Sequence, residues 1–331
     1  MQKNIAILAG GYSGEYDISV QSARTIARHL DVDVYRSFTI LITADAWYYA
    51  DDNDQRIPVD KNDFSLTLAG EKIVFDAVFF AIHGTPGEDG KLQGYFDMLQ
   101  IPYTGCGSLA SALTFNKSYC NKVVAALDVV RVARSLHLFY NQPYDPKVLA
   151  EQLRLPLFVK PAESGSSLGM SRVTDKAELA DAIHLAFEAD RQVLLEELVK
   201  GREISCGVFK SEGQLVSLPL TEIKSSKPFF DYEAKYSPGL AEEITPAPLE
   251  AATGQRIQDA AKHLYRELNC RGIIRFDFIL EDDSQDIYFL EVNTMPGQSP
   301  GSIVPKQIQA AGLDPGTVYD QLIRETLTSL S

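Results

Sequence analysis

At 331 residues and a net charge of −14, the chain is too long for one ordinary core. It is also too acidic for a nucleic-acid or anionic-membrane surface, which needs clustered Lys and Arg. Hydrophobic content of 45% and charged content of 23% are those of a globular protein of two or three domains, and a few local cations still suffice for a small anionic substrate.

The N-terminal apolar run is too short for a signal peptide or a membrane span, which predicts a cytoplasmic protein. That run, residues 4–9, predicts a strand ending at Gly10-Gly11, and the pattern over 18–30 predicts a helix. Residues 34–42 read as the next strand and 47–49 as a short extra one. Residues 74–82 form a near-continuous apolar strand that ends in the loop 83–90. Strands alternating with helices imply a mostly parallel sheet, and ligands of such sheets gather beyond the strands' carboxyl ends. Gly10, Gly11 and Glu15 follow one such end, and His83 to Asp89 follow another, so both are expected at one crevice. A lone His such as His83 is more often a hydrogen-bonded structural residue than a catalyst.

Residues 108–127 are helical in period, with Lys117 inside, and mark the passage out of the first domain. A Pro-containing linker at 142–146 leads to a strand at 157–160. That strand ends on Lys160 and turns through Glu163, Ser166, Ser167 and Gly169. Glycine lets backbone N–H groups approach an anion, serine adds donors and lysine adds charge. The loop lacks the GxxxxGK[ST] pattern, so a P-loop is not indicated; a flexible Gly/Ser turn accounts for it too. Residues 176–189 predict an amphipathic helix and 192–196 a strand. Glu196, Glu197, Leu198 and Glu203 there suit either an adenine and ribose or a solvated strand end. Strands are expected at 204–209 and 215–220, then a long polar loop over 224–245. Its Lys235 and Tyr236 lie among aromatics and charges, as in many active-site covers and also in plain surface loops.

A helix over 251–268 precedes the most informative segment, two strands joined by a polar turn at 281–286. Alternation sends Arg275, Asp277 and Ile279 to one face of the first strand. On the second, it places Tyr288 and Leu290 on one face and Glu291 and Asn293 on the other. Asp277, Glu291 and Asn293 are oxygen ligands for a hard cation, and Mg²⁺ commonly completes its shell with substrate phosphates. Four cysteines, Cys106, Cys120, Cys206 and Cys270, lack zinc-site spacing and read as reduced thiols. No Ser/His/Asp or Cys/His arrangement supports covalent hydrolysis.

Taken together, four segments resemble ATP-grasp enzymes, and among them the D-alanine–D-alanine ligases. They are Gly10 to Ser19, His83 to Gly90, Asp231 to Tyr236, and Asn293 to Gly297 with Ser302 to Pro305. The resemblance covers nearly the whole chain. It implies an α/β fold of three α/β domains, 1–105, 106–200 and 201–331, with ATP held between the central and C-terminal ones. It implies ligation of two D-alanines through an acyl phosphate, for bacterial peptidoglycan, by a cytoplasmic homodimer. By resemblance, Asp277, Glu291 and Asn293 bind two Mg²⁺ or Mn²⁺ ions. Lys117, Lys160, Ser166, Ser167, Glu196, Glu197, Leu198, Glu203 and Lys235 meet ATP. Glu15 holds the first D-alanine's ammonium near His83, in a hydrogen-bonded group with Ser166 and Tyr236. Arg275 and the Gly297 N–H face the oxyanion, and Ser302 takes the second carboxylate.

The chain departs from the usual family pattern at Asn116, commonly Asp, at Glu163 beside the phosphate loop, and at Gln298-Ser299, commonly Met-Thr. Two rival readings are a D-alanine–D-lactate ligase, against which Tyr236 speaks, and a catalytically silent ATP-grasp binder. Retention of Arg275, Asp277, Glu291, Asn293 and both lysines speaks against the second.

Overall fold

In the computed structural model, which describes residues 2–50, 55–163, 169–225 and 241–328, the first apolar run is strand β1 (Lys3–Gly10). It lies parallel between β2 (Tyr35–Ile42) and β7 (Ala77–Phe80). Ile5 to Ala9 are buried without interruption because both faces of the sheet are covered. The helices Tyr16–His29 and Pro315–Thr328 cover one face, where Ile5, Ile7, Ala23, Ile26, Tyr319 and Ile323 share a core. Four strands extend the sheet: β3 (Trp47–Ala50), β4 (Arg56–Asp60), β5 (Ser65–Leu68) and β6 (Glu71–Ile73). Its order is β6-β5-β4-β3-β2-β1-β7. The expected strand at 74–82 is shorter in its ladder. Asp76 meets β1 through both backbone and side chain, donating its N–H to the Asn4 carbonyl at 2.9 Å and accepting from the Asn4 N–H at 2.8 Å.

Residues 108–127 form two helices, Ser108–Phe115 and Lys117–Leu127, rather than the single helix expected. Asn116 leaves helical geometry at φ −83° and ψ 100°, and its side chain caps the second helix by accepting from the Tyr119 N–H at 3.1 Å. Both helices pack through Ala110, Cys120 and Val124 into the C-terminal core, with Phe276 and Phe278. The four cysteines are buried and free.

The central sheet is antiparallel, in the order β11-β10-β12-β9. Its strands are β9 (Ser135–Phe139), β10 (Leu157–Pro161), β11 (Ser171–Val173) and β12 (Gln192–Glu197). The helix Leu179–Ala189 closes its core. In the C-terminal sheet, β15 (Thr221–Ser225), β13 (Gly201–Ser211), β17 (Ile274–Glu281) and β18 (Ile287–Asn293) run side by side. β8 (Arg131–Val132) closes one edge and β16 (Ala241–Ile244) the other, while β14 (Gln214–Ser217) pairs with β13.

The long loop expected over 224–245 is therefore a strand at each end, since Ile223 pairs with Glu243 and Ser225 with Ala241. Residues 226–240, with Lys235 and Tyr236, lie outside the described residues, as do Ser166 and Ser167. No helix among the described residues is long and apolar enough to cross a membrane.

The N-terminal and C-terminal parts touch backbone to backbone at Gly105 and Gly272. A Cβ on Gly272, whose φ is +75°, would stand 2.8 Å from the Gly105 Cα and N. Gly213 has a similar φ of +80° with nothing within 4 Å. Gly272→Ala is expected to lower the unfolding free energy by ~2–4 kcal/mol, against about 1 for Gly213→Ala. Equal losses in urea titration would show that the Gly105 contact yields freely.

Candidate active site

One cavity of about 1050 Å³ is lined by the central and C-terminal sheets, by the first helix and the 83–90 loop of the N-terminal part, and by every sequence candidate that lies among the described residues. Its most ordered wall is the β17–β18 hairpin. There Arg275 faces Asn293 and Asp277 faces Glu291, after which the register shifts, so that Phe278 meets Phe289 and Ile279 meets Tyr288. Leu290 is the extra residue of a bulge. Simple alternation separates Tyr288 from Glu291; the bulge turns both toward the cavity. Phe276, Phe278, Phe289 and Val292 go into the core behind them.

Asp277 is only 2% exposed and collects donors. Arg275 donates to it from Nε at 2.9 Å and Nη2 at 2.8 Å, and Asn293 from Nδ2 at 2.9 Å. Ser205 adds its hydroxyl at 2.5 Å. Burial opposes the charge of Arg275, but Asp277, Glu291 and Glu203 outweigh it and raise its pKa. Lys117 is the first residue of its helix, with Nζ 4.0 Å from the Glu291 carboxylate. Its backbone N–H donates to the Ala162 carbonyl at 2.9 Å, which joins the helix start to the end of β10.

Lys160 and Glu196 form an ion pair across β10 and β12, both buried, and Asn121 donates to the second Glu196 oxygen at 2.9 Å. Glu197 turns the other way. Burial pushes its carboxyl up, but contacts from Arg154 N at 2.9 Å, Nε at 2.9 Å and Nη2 at 2.8 Å hold it below the usual range. The Leu198 N–H donates to the Pro156 carbonyl at 3.1 Å. Glu203 lines the cavity from β13, between Ile223 and Ile279 on the neighbouring strands.

From the N-terminal sheet, Glu15 stands at the start of the helix Tyr16–His29. His83 is committed at both ring nitrogens. Nδ1 lies 2.7 Å from the Met295 carbonyl and Nε2 3.2 Å from the Ser22 hydroxyl. A carbonyl only accepts, so Nδ1 carries the proton, and in the neutral ring Nε2 accepts from Ser22.

Glu88, which the sequence placed in a motif without a role, is the residue the sequence reading missed. Its carboxylate accepts from the Gly84 N–H at 2.8 Å and the Met295 N–H at 3.1 Å. Burial, and then the charge of Glu15, push it up to about 7 against those two donors. Its signal was position alone, within the glycine-flanked loop after β7.

Gly297 has no room for a side chain, since a Cβ would stand 2.5 Å from the Ser302 Oγ. Ser302 precedes the helix Ile303–Ala310, and its hydroxyl is 2.8 Å from that of Ser299. Gln298 is buried, donating to the Pro296 carbonyl at 2.9 Å and accepting from the Tyr319 hydroxyl at 3.1 Å. The unusual Gln298-Ser299 pair thus braces this turn from both sides.

Among the described residues no three His, Cys, Asp or Glu side chains converge as a ready metal cage. Asp277 and Glu291, paired across the hairpin with Asn293 beside them, are nevertheless an oxygen set suited to a hard cation that takes most of its shell from phosphates and water.

Residues 4–106 match the family profile described as D-ala D-ala ligase N-terminus, and residues 135–324 that described as D-ala D-ala ligase C-terminus. A D-alanine--D-alanine ligase of Porphyromonas gingivalis is 43% identical over 325 residues, covering 98% of this chain and 97% of the relative. That of Parabacteroides distasonis is 42% identical over 327 residues, covering 99% and 98%. Among solved structures, D-alanyl-alanine synthetase A from Vibrio cholerae superposes with a TM-score of 0.87 at 31% identity, covering 98% of both chains. VanG D-Ala:D-Ser ligase from Enterococcus faecalis gives 0.86 at 34%, covering 98% of this chain and 99% of that one. D-alanine--D-alanine ligase from Bacillus anthracis complexed with ATP gives 0.77 at 26%, covering 99% and 98%. With both halves matched and relatives above 40% identity along its length, the chain belongs to the D-alanine–D-alanine ligase family.

Proposed function

We propose that this cavity binds ATP and two D-alanines and joins them into D-alanyl-D-alanine, the dipeptide of peptidoglycan. The observation that carries this reading is the convergence of cations, carboxylates and the Gly297 turn on one cavity, from two sheets and from the N-terminal helix and loop that face them. The division at 1–105, 106–200 and 201–331 belongs to the same proposal, with the helices of 108–127 docked on the C-terminal core. Residence in the cytoplasm and pairing into a homodimer complete it.

In the first step the γ-phosphoryl group of ATP moves to a carboxylate oxygen of the first D-alanine, leaving ADP and an acyl phosphate. Such transfers need charge neutralisation and positioning more than covalent help. Lys117 and Lys160 hold phosphate oxygens, with Ser166, Ser167 and Lys235 assigned by resemblance. Glu196, Glu197, Leu198 and Glu203 meet the adenine and ribose, Glu197 through its backbone because Arg154 occupies its carboxylate. Asp277, Glu291 and Asn293 would hold Mg²⁺ or Mn²⁺, which supplies Lewis-acid neutralisation of phosphate charge. Glu15 takes the ammonium of the first D-alanine, with Ser166 and Tyr236 assigned to the same group by resemblance.

In the second step the neutral amine of the second D-alanine attacks the acyl carbon. The oxyanion that develops meets Arg275 and the Gly297 N–H, the C–O bond to phosphate breaks, and the amine proton is released. Ser302, at the start of a helix, takes the second carboxylate where the helix dipole favours an anion.

Mixing the protein with ATP, Mg²⁺ and D-alanine, and following phosphate and dipeptide together, tests this reading. Offering D-serine and D-lactate alongside D-alanine tests the acceptor. D-alanine is expected to dominate, and absence of any turnover would leave the silent binder as the correct reading.

Glu291→Gln is expected to leave thermal unfolding unchanged, to remove most activity and to raise the Mg²⁺ requirement. Near-normal turnover at ordinary Mg²⁺ would discard the metal assignment. Arg275→Ala is expected to lower kcat by at least ~10²-fold with a smaller change in the KM for ATP. The reverse split would make Arg275 a nucleotide residue.

A further inference from the structure

The loop 83–90 grips the backbone of one residue of the C-terminal part from two sides, at the two successive peptide groups that flank Met295. Glu88 accepts the Met295 N–H at 3.1 Å, while His83 donates to the Met295 carbonyl at 2.7 Å. The Met295 side chain is 7% exposed and belongs to the N-terminal core, with Leu8, Ile82 and Phe96. Its methyl group fills the space over Gly105, where a Cβ would stand 2.5 Å from the Met295 Cε. Three residues on, the Gln298 N–H donates to the Ser22 hydroxyl at 3.0 Å, and that hydroxyl also meets His83. Gly297 is therefore bracketed between two anchor points, both set by the N-terminal sheet and its first helix.

We propose that Glu88 is a positioning residue for ligation: through the Met295 peptide it sets where the Gly297 N–H points. This rests on the ligase reading above, in which that N–H faces the oxyanion. The Glu88 carboxylate suits the task because it accepts with both oxygens, one for Gly84 and one for Met295. A glutamine in its place keeps the shape but turns an NH₂ donor toward one of the two backbone donors. An aspartate keeps the carboxyl group but is one methylene too short to span both. Either change loosens the turn by fractions of an ångström, and a misplacement of that order is enough to slow a chemical step.

The role separates from a general structural one by step. Formation of the acyl phosphate is read by positional isotope exchange of the ATP β–γ bridging oxygen in the presence of D-alanine. Ligation is read by dipeptide formation. Wild type, Glu88→Gln and Glu88→Asp are compared by both readouts, with the KM for ATP and thermal unfolding measured alongside.

The expected result is a ~10- to ~100-fold loss of dipeptide turnover, with isotope exchange retained and the KM for ATP within about 2-fold of wild type. Wild-type turnover in both variants overturns the proposal. So does an equal loss in exchange and ligation, which would put Glu88 in the first step. Failure of both variants to fold also overturns it, since Glu88 would then serve stability. If wild type itself forms no dipeptide, the ligase reading fails instead.

Discussion

The pairing register of β17 with β18 is the constraint on which the rest of the site depends. A strand has two faces, and this hairpin must bury Phe276, Phe278, Phe289 and Val292 on one while presenting Arg275, Asp277, Glu291 and Asn293 on the other. One residue of slip exchanges the faces, sending charges into the core and phenyl rings into the cavity. The bulge at Leu290 makes the arrangement possible, because it changes phase once between two apolar stretches that would otherwise conflict. Everything the other two sheets contribute is aimed at this wall: Lys117 reaches Glu291, and the 83–90 loop holds Met295 just beyond the end of β18.

Charge inside the cavity is settled in pairs, but not with equal tightness. Lys160 and Glu196 are both nearly sealed from solvent and in direct contact, whereas Lys117 and Glu291 are partly exposed and 4.0 Å apart. Separating a buried pair strands a charge and costs roughly 3–5 kcal/mol, while an exposed pair is worth about 1 or less. An incoming phosphate therefore displaces Glu291 from Lys117 far more cheaply than Glu196 from Lys160. On the proposed reading this is a useful asymmetry. Glu291 would be free to help hold a cation once phosphate takes its place on Lys117, and Lys160 stays pre-oriented until the ligand supplies enough charge to compete with Glu196.

Much of this was legible in the residues, and the gaps have physical causes. The buried run of β1 announces itself because its neighbours leave it no solvent face, and β10, β12 and β17 show as short apolar runs that carry charged residues. The strands β4, β5 and β6 were not read, since short, half-exposed segments such as Arg56–Asp60 alternate too weakly to stand out. β16, whose sequence is Ala-Glu-Glu-Ile, reads as loop until its partner Thr221–Ser225 is known. Helical period runs straight through 108–127, and only the capping bond of Asn116 reveals the break. The site residues came through as types and spacing. Their commitments did not. That Glu197 belongs to Arg154, or that Glu88 grips a peptide over two hundred positions away, is a fact of tertiary contact that no local pattern carries.

Two departures from the family pattern, read singly, look like defects near the phosphate loop: an amide where an acid is usual, and an acid where none is expected. In the fold they are one unit. Asn116 donates from Nδ2 to Glu163 at 2.8 Å and to Gln192 at 3.2 Å, while its Oδ1 still caps the helix of Lys117. An aspartate at 116 would cap equally well but would set one carboxylate against another at that distance. With the amide in place, Glu163 turns to the N-terminal end of the helix Lys117–Leu127, where the macrodipole favours an anion by about 0.3–1 kcal/mol. Lys117 lines the cavity and neither Asn116 nor Glu163 does. The acidic side chain is thereby spent on the helix start, outside the volume where phosphate charge would meet it, and the amide at 116 is the condition for placing it there.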